Sequence, residues 1–249
     1  MILALVAFLA ATFGAISGLG GGIFIMPILV QIYSEQYSAS GLAALSLSIV
    51  LLNSCTALFV GKQIRNVDMR FAQGMAIVSA LGVFLGIFLQ ARVSRQSFEF
   101  YLAVFLCLLG LFILVRSGAA DKTIKPENEP FKPVDGVFSF VMGSVASFFG
   151  IGGGVLQVPY MVYFRKRSVK QSTATSQMIL ATVATMSLIL IVLVKRTTVP
   201  WTGFLIMAPA VIVGSILGSR LAAKLRGPWI VRLLAVVLLF LAVRVALQG

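Results

Sequence analysis

Two runs of glycine carry the strongest chemical signal in this sequence. The first is GLGGGIFIMP at residues 18–27, and the second is GIGGGVLQVP at residues 150–159. Each run precedes an apolar stretch, so each can begin a helix whose first N–H groups are not covered by side chains. Those N–H groups carry the positive end of the helix dipole. The chemistry predicted for both runs is the binding of a small anion.

Close helix packing is the alternative reason for glycine in an apolar segment. Three successive glycines weaken a helix by about 1 kcal/mol each, and packing does not require that cost, so we favour an anion site for the two runs. The pairs Gly82/Gly86 and Gly214/Gly218 have the four-residue spacing of a packing motif. For these four glycines we predict packing alone.

The composition indicates whether these runs fold in water or in a membrane. The chain is 59% hydrophobic and 11% charged, with a mean hydropathy of +1.04, whereas soluble domains carry roughly 25% charged residues. Several apolar stretches exceed the ~18 residues of a transmembrane candidate. The sequence therefore predicts an all-α polytopic membrane protein whose first segment is retained, because no basic region precedes it.

Charge and cysteine content exclude several other classes. The net charge of +13 comes from Lys and Arg between the apolar stretches, where they set orientation and contact lipid head groups, so nucleic-acid binding is not expected. The chain has no histidine, and its two cysteines, Cys55 and Cys107, lack a C-x-x-C spacing. We therefore predict no metal and no cofactor. Without histidine, paired carboxylates or a nucleophile–base pair, an enzyme is not expected.

The chain reads as a duplication. A shift of 132 residues superimposes the glycines of the two runs, and it also places Pro27 on Pro159 and Gly82 on Gly214. The predicted halves are residues 1–115 and 135–249, joined by a proline-containing linker at 116–134. The apolar segments of the first half are about 2–33, 38–60, 70–91 and 97–115. Those of the second half are about 135–164, 171–194, 201–222 and 229–247.

Loop charges indicate how the glycine runs turn the chain. If segments 2–33 and 135–164 each cross the membrane once, the 20 Lys and Arg divide equally between the two sides. If each segment instead reverses and ends on its starting side, 15 of the 20 fall on one side, as the positive-inside rule requires. Each segment is therefore predicted to be a glycine-broken helical hairpin, re-entrant or otherwise. The linker 116–134 is then cytoplasmic, and both termini lie outside the cytoplasm.

Segment length agrees with a reversal. The stretches after the glycine runs, 22–33 and 153–164, hold 12 residues each, which as helix is ~18 Å against the ~30 Å hydrocarbon core. Three full crossings follow each hairpin, and an odd number of crossings inverts the second half relative to the first. The predicted fold is two inverted repeats, a common plan among transporters.

Polar side chains inside the apolar segments are the remaining site candidates, because they are costly in lipid and usually face the interior of a helix bundle. Serine and threonine can bond their own helix carbonyls, so amides are more informative. With the glycines at 20–22 and 152–154, the candidates are Gly20, Gly21, Gly22, Gly152, Gly153, Gly154, Ser46, Asn53, Gln157, Ser176 and Gln177. No acid lies in the middle of an apolar segment. Glu35, Asp68 and Glu99 lie at segment ends and are interpreted as solvated loop charges, with an interfacial role as the alternative.

The motifs GLGGGIFIMP and GIGGGVLQVP resemble the G-x-G-G-G…P signature of the sulfite exporter TauE/SafE family of membrane permeases. The resemblance extends over nearly the whole chain, including its duplicated halves and polar linker. It implies transport of a small sulfur-containing anion such as sulfite or an organosulfonate. The two copies differ at Ile25 and Gln157, so the two halves of the predicted site are not chemically equal.

The sequence thus predicts a secondary transporter of a small anion in the cell inner membrane, with substrate bound at paired helix N-termini near the bilayer midplane. The alternatives are a passive anion channel and, from another class, a non-transport membrane assembly subunit. The predicted partners are the anion and the lipid bilayer. The sequence leaves open whether the protein forms a homo-oligomer. Substrate, direction and coupling ion are not determined by these residues.

Overall fold

A computed structural model describes residues 2–33, 36–90, 92–93, 95–116, 130–195 and 199–225, with positions 235, 236, 239, 240 and 243. Within these ranges the chain is helical and contains no strand, which confirms the all-α prediction. Most of the predicted linker 116–134 and most of the predicted helix 229–247 lie outside the described residues.

The first half of the sequence forms five helices. Helix α1 (Ile2–Ser17) is followed by α2 (Gly22–Tyr33) and α3 (Ala39–Cys55), which continues as a π-helical turn over Thr56–Val60. A short 3₁₀ helix (Gln63–Asn66) leads into α4 (Met69–Gln90) and α5 (Arg95–Arg116).

The second half of the sequence forms four further described helices. Helix α6 (Pro133–Phe149) precedes α7 (Gly154–Pro159), which continues as a π-helical turn over Tyr160–Phe164. Helices α8 (Val169–Lys195) and α9 (Trp201–Lys224) follow.

Four described helices are long and apolar enough to cross a bilayer: Ser40–Val60, Met69–Gln90, Val169–Leu193 and Trp201–Ala222. Helix α4 shows how they meet lipid. Its large apolar side chains at Ile77, Leu81, Phe84 and Phe88 are exposed, while the opposite face, which includes Met75, is buried. An exposed apolar face of that length is stable in hydrocarbon and costly in water. The chain is a multi-pass helical membrane protein.

Glycine pairs join the two halves of the sequence. A Cβ placed on Gly82 or Gly86 of α4 would lie about 2 Å from backbone carbonyl oxygens of α6, so these glycines permit backbone contact. Gly214 and Gly218 of α9 pack in the same way against α1. The packing role predicted for these four glycines is confirmed. The contacting residues also correspond between the two interfaces, since Phe140 and Ser144 of α6 are 132 positions beyond Phe8 and Thr12 of α1.

A buried ion pair and a partly buried one lie where α4, α6 and α8 begin. Asp68 lies 2.6 Å from the Arg167 guanidinium and also accepts the Phe71 N–H. Asp135 is fully buried, pairs with Arg165 at 3.3 Å and accepts the Tyr160 hydroxyl. The interpretation of Asp68 as a solvated loop charge is wrong, because its basic partner follows α7, nearly 100 residues away in the sequence. Glu35 and the side chain of Glu99 lie outside the described residues.

Candidate functional site

The two glycine runs form turns with the same backbone conformation. The first glycine turn (residues 18–22) has left-handed φ angles at Gly18, Gly20 and Gly21, from +72° to +81°. The second glycine turn (residues 150–154) repeats them 132 positions later, from +65° to +86°. L side chains are strained at such angles, so the backbone itself requires glycine at these positions.

Hydrogen bonds around the turns are matched as well. The Leu19 N–H donates to the Gly14 carbonyl at 3.0 Å, and the Ile151 N–H donates to the Ala146 carbonyl at the same distance. In the first turn the chain folds back far enough to bring the rings of Phe13 and Phe24 to 6.3 Å. Each turn therefore ends one helix and starts the next within five residues.

The two glycine turns meet each other inside the protein. A Cβ placed on Gly22 would lie 2.9 Å from the Ile151 carbonyl oxygen, and one placed on Gly154 would lie 2.7 Å from the Gly18 carbonyl oxygen. Residues 20–22 and 152–154, predicted from the sequence to form one site, are thus brought together, and all are buried.

Val50 of α3 and Leu180 of α8 occupy the space beside both turns. A Cβ on Gly20 would lie 2.9 Å from Val50 and 3.1 Å from Leu180, and one on Gly152 would lie 2.8 Å and 3.0 Å from the same two side chains. In this conformation the meeting point of the turns is filled by apolar side chains. Val50 and Leu180 therefore cover Gly20 and Gly152 on this side.

Two helices begin at this meeting point. Helix α2 starts at Gly22, and the Gly21 carbonyl accepts from the N–H groups of Phe24 and Ile25. Helix α7 and its π-helical continuation start at Gly154 in the same way. The N–H groups of a first helical turn have no carbonyl within their own helix. Their partial positive charge favours an anion at this position.

Side chains of α8 hold the first glycine turn. The Ser176 hydroxyl donates to the Gly18 carbonyl at 2.8 Å, and the Gln177 amide donates to the Gly14 carbonyl at 3.1 Å. Ser176 also lies 3.2 Å from the side-chain oxygen of Gln157, whose amide nitrogen is buried with no partner among the described residues. The structure therefore places Ser176, Gln177 and Gln157 around the turns.

Side chains of α3 lie beside the turns but are not bonded to them. The Ser46 hydroxyl and both polar atoms of the Asn53 amide are buried without a partner in the described part of the chain. An unsatisfied buried polar group costs about 1–3 kcal/mol. Ser46 and Asn53 lie on the same helix as Val50. Their side-chain polar atoms form no hydrogen bond with the described residues.

Ser54 belongs to the same environment and was not selected from the sequence. Its hydroxyl oxygen would lie 3.4 Å from a Cβ on Gly20, and it too has no partner among the described residues. A serine in a sequence does not show whether it bonds its own helix, and the prediction includes Ser46 but not Ser54. The spacing of Ser46, Val50 and Ser54, one helical turn apart each, is the signal that could have identified it.

Loss of the Gln177 amide should loosen the first turn. We expect Gln177→Leu to lower the free energy of unfolding by about 1 kcal/mol, the net contribution of one hydrogen bond, because the Gly14 carbonyl loses its α8 partner. Unfolding followed by circular dichroism in detergent measures the change. Gln171→Leu on the same helix is the control, because the side-chain oxygen of Gln171 is buried without a hydrogen-bond partner among the described residues. Equal stability of Gln177→Leu and wild type would contradict the anchoring role.

The family model described as sulfite exporter TauE/SafE matches residues 3–245. The probable membrane transporter protein YunE of Bacillus subtilis is 23% identical over 270 residues, covering 100% of this chain and 98% of the relative. Probable membrane transporter proteins of Methanocaldococcus jannaschii and Xylella fastidiosa are 25% and 26% identical, covering 70% and 84% of this chain and 66% and 77% of those relatives. No solved structure matches the chain.

Proposed function

Because the chain belongs to the sulfite exporter TauE/SafE family, we propose that it is a secondary transporter that moves a small sulfur-containing anion, such as sulfite or an organosulfonate, across the cell inner membrane. Its similarity to membrane transporters over the full length of the chain supports transport rather than catalysis or assembly. The names of these relatives give no substrate. The choice of a sulfur-containing anion therefore rests on the family description and on the chemistry of the glycine turns.

The meeting of the two glycine turns is the observation that carries this proposal. Two helix starts, at Gly22 and Gly154, lie in contact and carry no side chain of their own, although Val50 and Leu180 pack beside them. The proposed substrate site is formed by the backbone N–H groups of residues 20–22 and 152–154. Converging helix N-termini suit an anion because each contributes partial positive charge without a proton to exchange.

Neutral side chains complete the proposed site. The amides of Asn53, Gln157 and Gln177 and the hydroxyls of Ser46 and Ser176 lie on the helices around the turns, and all five residues are fully buried. Ser46, Asn53 and Gln157 have O–H or N–H groups without a partner among the described residues, which can donate to anion oxygens, whereas Ser176 and Gln177 already donate to the Gly18 and Gly14 carbonyls. No group of three or more potential metal ligands occurs among the described residues, so the proposed site uses hydrogen bonds and helix dipoles.

The proposed topology is two inverted repeats with the linker 116–134 in the cytoplasm and both termini outside it. Helix packing between the two halves supports this topology. Helix α1 of the first half packs on α9 of the second, and α6 of the second half packs on α4 of the first, through glycines that correspond at the 132-residue offset. Repeats related by a two-fold axis would produce such exchanged pairs. The asymmetric distribution of Lys and Arg supports the orientation.

Alternating access is the mechanism proposed for movement across the membrane. Val50 and Leu180 fill the meeting point of the turns, which favours a transporter that must rearrange over a channel with a continuous pore. We expect the glycine turns and α3 or α8 to separate during the cycle and admit the anion from one side at a time. This step follows other repeat transporters by analogy.

Flux into proteoliposomes tests the proposed function. Purified protein is reconstituted, and uptake of radiolabelled sulfite, thiosulfate, sulfate and a short organosulfonate is compared with uptake by protein-free vesicles. We expect saturable uptake of at least one of these anions. Uptake that rises linearly with concentration would indicate a channel. For each of the four anions the concentration gradient is imposed first inward and then outward. Equal flux with and without protein in every case would contradict the proposal.

A further inference from the structure

One face of α3 carries buried polar atoms that the fold does not use. The α3 polar stripe consists of Ser46, Asn53 and Ser54, each 0% exposed. Both hydroxyls and both polar atoms of the amide have no hydrogen-bond partner among the described residues. Buried polar groups in native proteins are nearly always bonded, so a cluster of four unbonded atoms on one helix face indicates water or a ligand at that face.

The α3 polar stripe faces the glycine turns. Ser46 and Ser54 lie one helical turn before and after Val50, which contacts both turns. The Ser54 hydroxyl oxygen would lie 3.4 Å from a Cβ on Gly20. The rotation of the helix is held from the other side, because Ser215 of α9 donates to the Asn53 backbone carbonyl at 3.0 Å.

Other hydroxyls of α3 differ from those of the stripe. Ser48 donates to the Ala44 carbonyl, and Thr56 donates to the Leu52 carbonyl, in each case within the helix. On α8, Ser176 is committed to the Gly18 carbonyl of the first glycine turn, and Gln177 is committed to the Gly14 carbonyl in the last turn of α1. Intrahelical bonding was therefore available to serines of α3, yet Ser46 and Ser54 do not form it.

We propose that α3 and α8 have different roles in the site. The α3 polar stripe donates hydrogen bonds to the oxygens of a small oxyanion and selects it, while Ser176 and Gln177 are positioning residues that hold the first glycine turn. Two hydroxyls and one amide offer four hydrogen atoms to an anion with three or four acceptor oxygens. This assignment rests on the proposed function and adds Ser54 to its site.

Labelling of cysteine tests the stripe without reference to any substrate. In a Cys55→Ala/Cys107→Ala background, Ser54→Cys is exposed to a negatively charged methanethiosulfonate reagent in proteoliposomes. We expect it to react at least about tenfold faster than Ser187→Cys, because a substrate path becomes wet during transport. Ser187 is the matched control, since it is equally buried but bonded to Ser147. Equal, negligible labelling of both variants would overturn the proposal.

Kinetics and stability then test the division of work. We expect Ser54→Ala and Asn53→Leu to raise the KM of the transported anion about tenfold or more and to change the ranking among sulfite, thiosulfate and sulfate. Their thermal stability should be unchanged or higher, because each removes an unsatisfied buried group. Gln177→Leu should instead lower the maximal rate and the thermal stability while the ranking persists. Ser48→Ala, whose hydroxyl is bonded within α3, should match wild type.

The outcomes separate the two proposals. Ser54→Cys labelling without uptake of any anion in the panel would contradict the proposed substrate class, while the stripe would stand as part of a solute path. Uptake by wild type with no change in KM for Ser54→Ala and Asn53→Leu would overturn the stripe and leave the transporter intact. Destabilisation by Ser54→Ala would also overturn it, since that result indicates a structural hydroxyl.

Discussion

Gly154→Val should abolish transport of whichever anion wild type carries. A Cβ at this position would lie 2.7 Å from the Gly18 carbonyl oxygen and 2.7 Å from Leu180. The carbonyl belongs to backbone that is itself held by Ser176, so it cannot withdraw easily. We expect initial uptake to fall about 100-fold or more, which corresponds to a loss of roughly 3 kcal/mol in binding.

Two further variants make the Gly154 result specific. Gly22→Val at the equivalent position of the first turn should show the same loss, because its Cβ would lie 2.5 Å from Val50 and 2.9 Å from the Ile151 carbonyl oxygen. Gly136→Val is the control, since a Cβ there meets only the Phe131 ring at 3.7 Å and 3.8 Å. Gly154→Ala provides a smaller change if the valine variant does not fold. The test applies to a Gly154 variant that elutes from size-exclusion chromatography and unfolds like wild type. Wild-type uptake by such a variant would contradict the proposed anion site.

Asp68→Asn should cause the largest loss of stability among the ionic variants. It removes the negative charge that lies 2.6 Å from the Arg167 guanidinium, which is 2% exposed. Removal of one partner of a buried ion pair costs about 3–5 kcal/mol, and we expect the lower end of that range or less because the Asp68 side chain is 12% exposed. Asparagine can still accept the Phe71 N–H at the start of α4, so the change isolates the charge. Equilibrium unfolding in mixed detergent micelles measures the loss.

The double variant Asp68→Asn/Arg167→Gln distinguishes a pair interaction from a general effect of substitution. Removing both charges should recover most of the lost stability, since neither partner is left charged and buried. Arg70→Gln on the exposed side of α4 is the control and should stay within about 0.5 kcal/mol of wild type. A loss below that value for Asp68→Asn would show that the pair is solvated and would contradict the packing described here.

Much of the fold could be predicted because the strongest signals were local. Mean hydropathy and segment length identified a helical membrane protein, since lipid leaves the backbone no alternative but internal hydrogen bonds. The spacing of Gly82 and Gly86 predicted a close helix contact, because only small residues let two backbones approach. The glycine runs also carried the family resemblance, and the match over residues 3–245 confirms it.

The candidate site could be predicted only in part. The glycines at 20–22 and 152–154 were selected together on the basis of the repeat, and the turns they form are in contact. The sequence does not distinguish Ser54 from Ser46, because a serine in a sequence does not reveal whether it bonds its own helix. Asp68 was assigned to solvent because its partner, Arg167, lies after the second glycine turn and shares no local pattern with it.

The sequence by itself determined the class of the protein, its glycine turns and its family, because composition, periodicity and backbone conformation are properties of neighbouring residues. Only the tertiary structure decided which polar groups are bonded and which are not. Ser176 and Gln177 reach carbonyls 158 and 163 residues away, whereas the side chains of Ser46 and Asn53 have no hydrogen-bond partner in the described part of the chain. That difference depends on how α3 and α8 are rotated against the turns, and helix rotation follows from packing across the whole bundle.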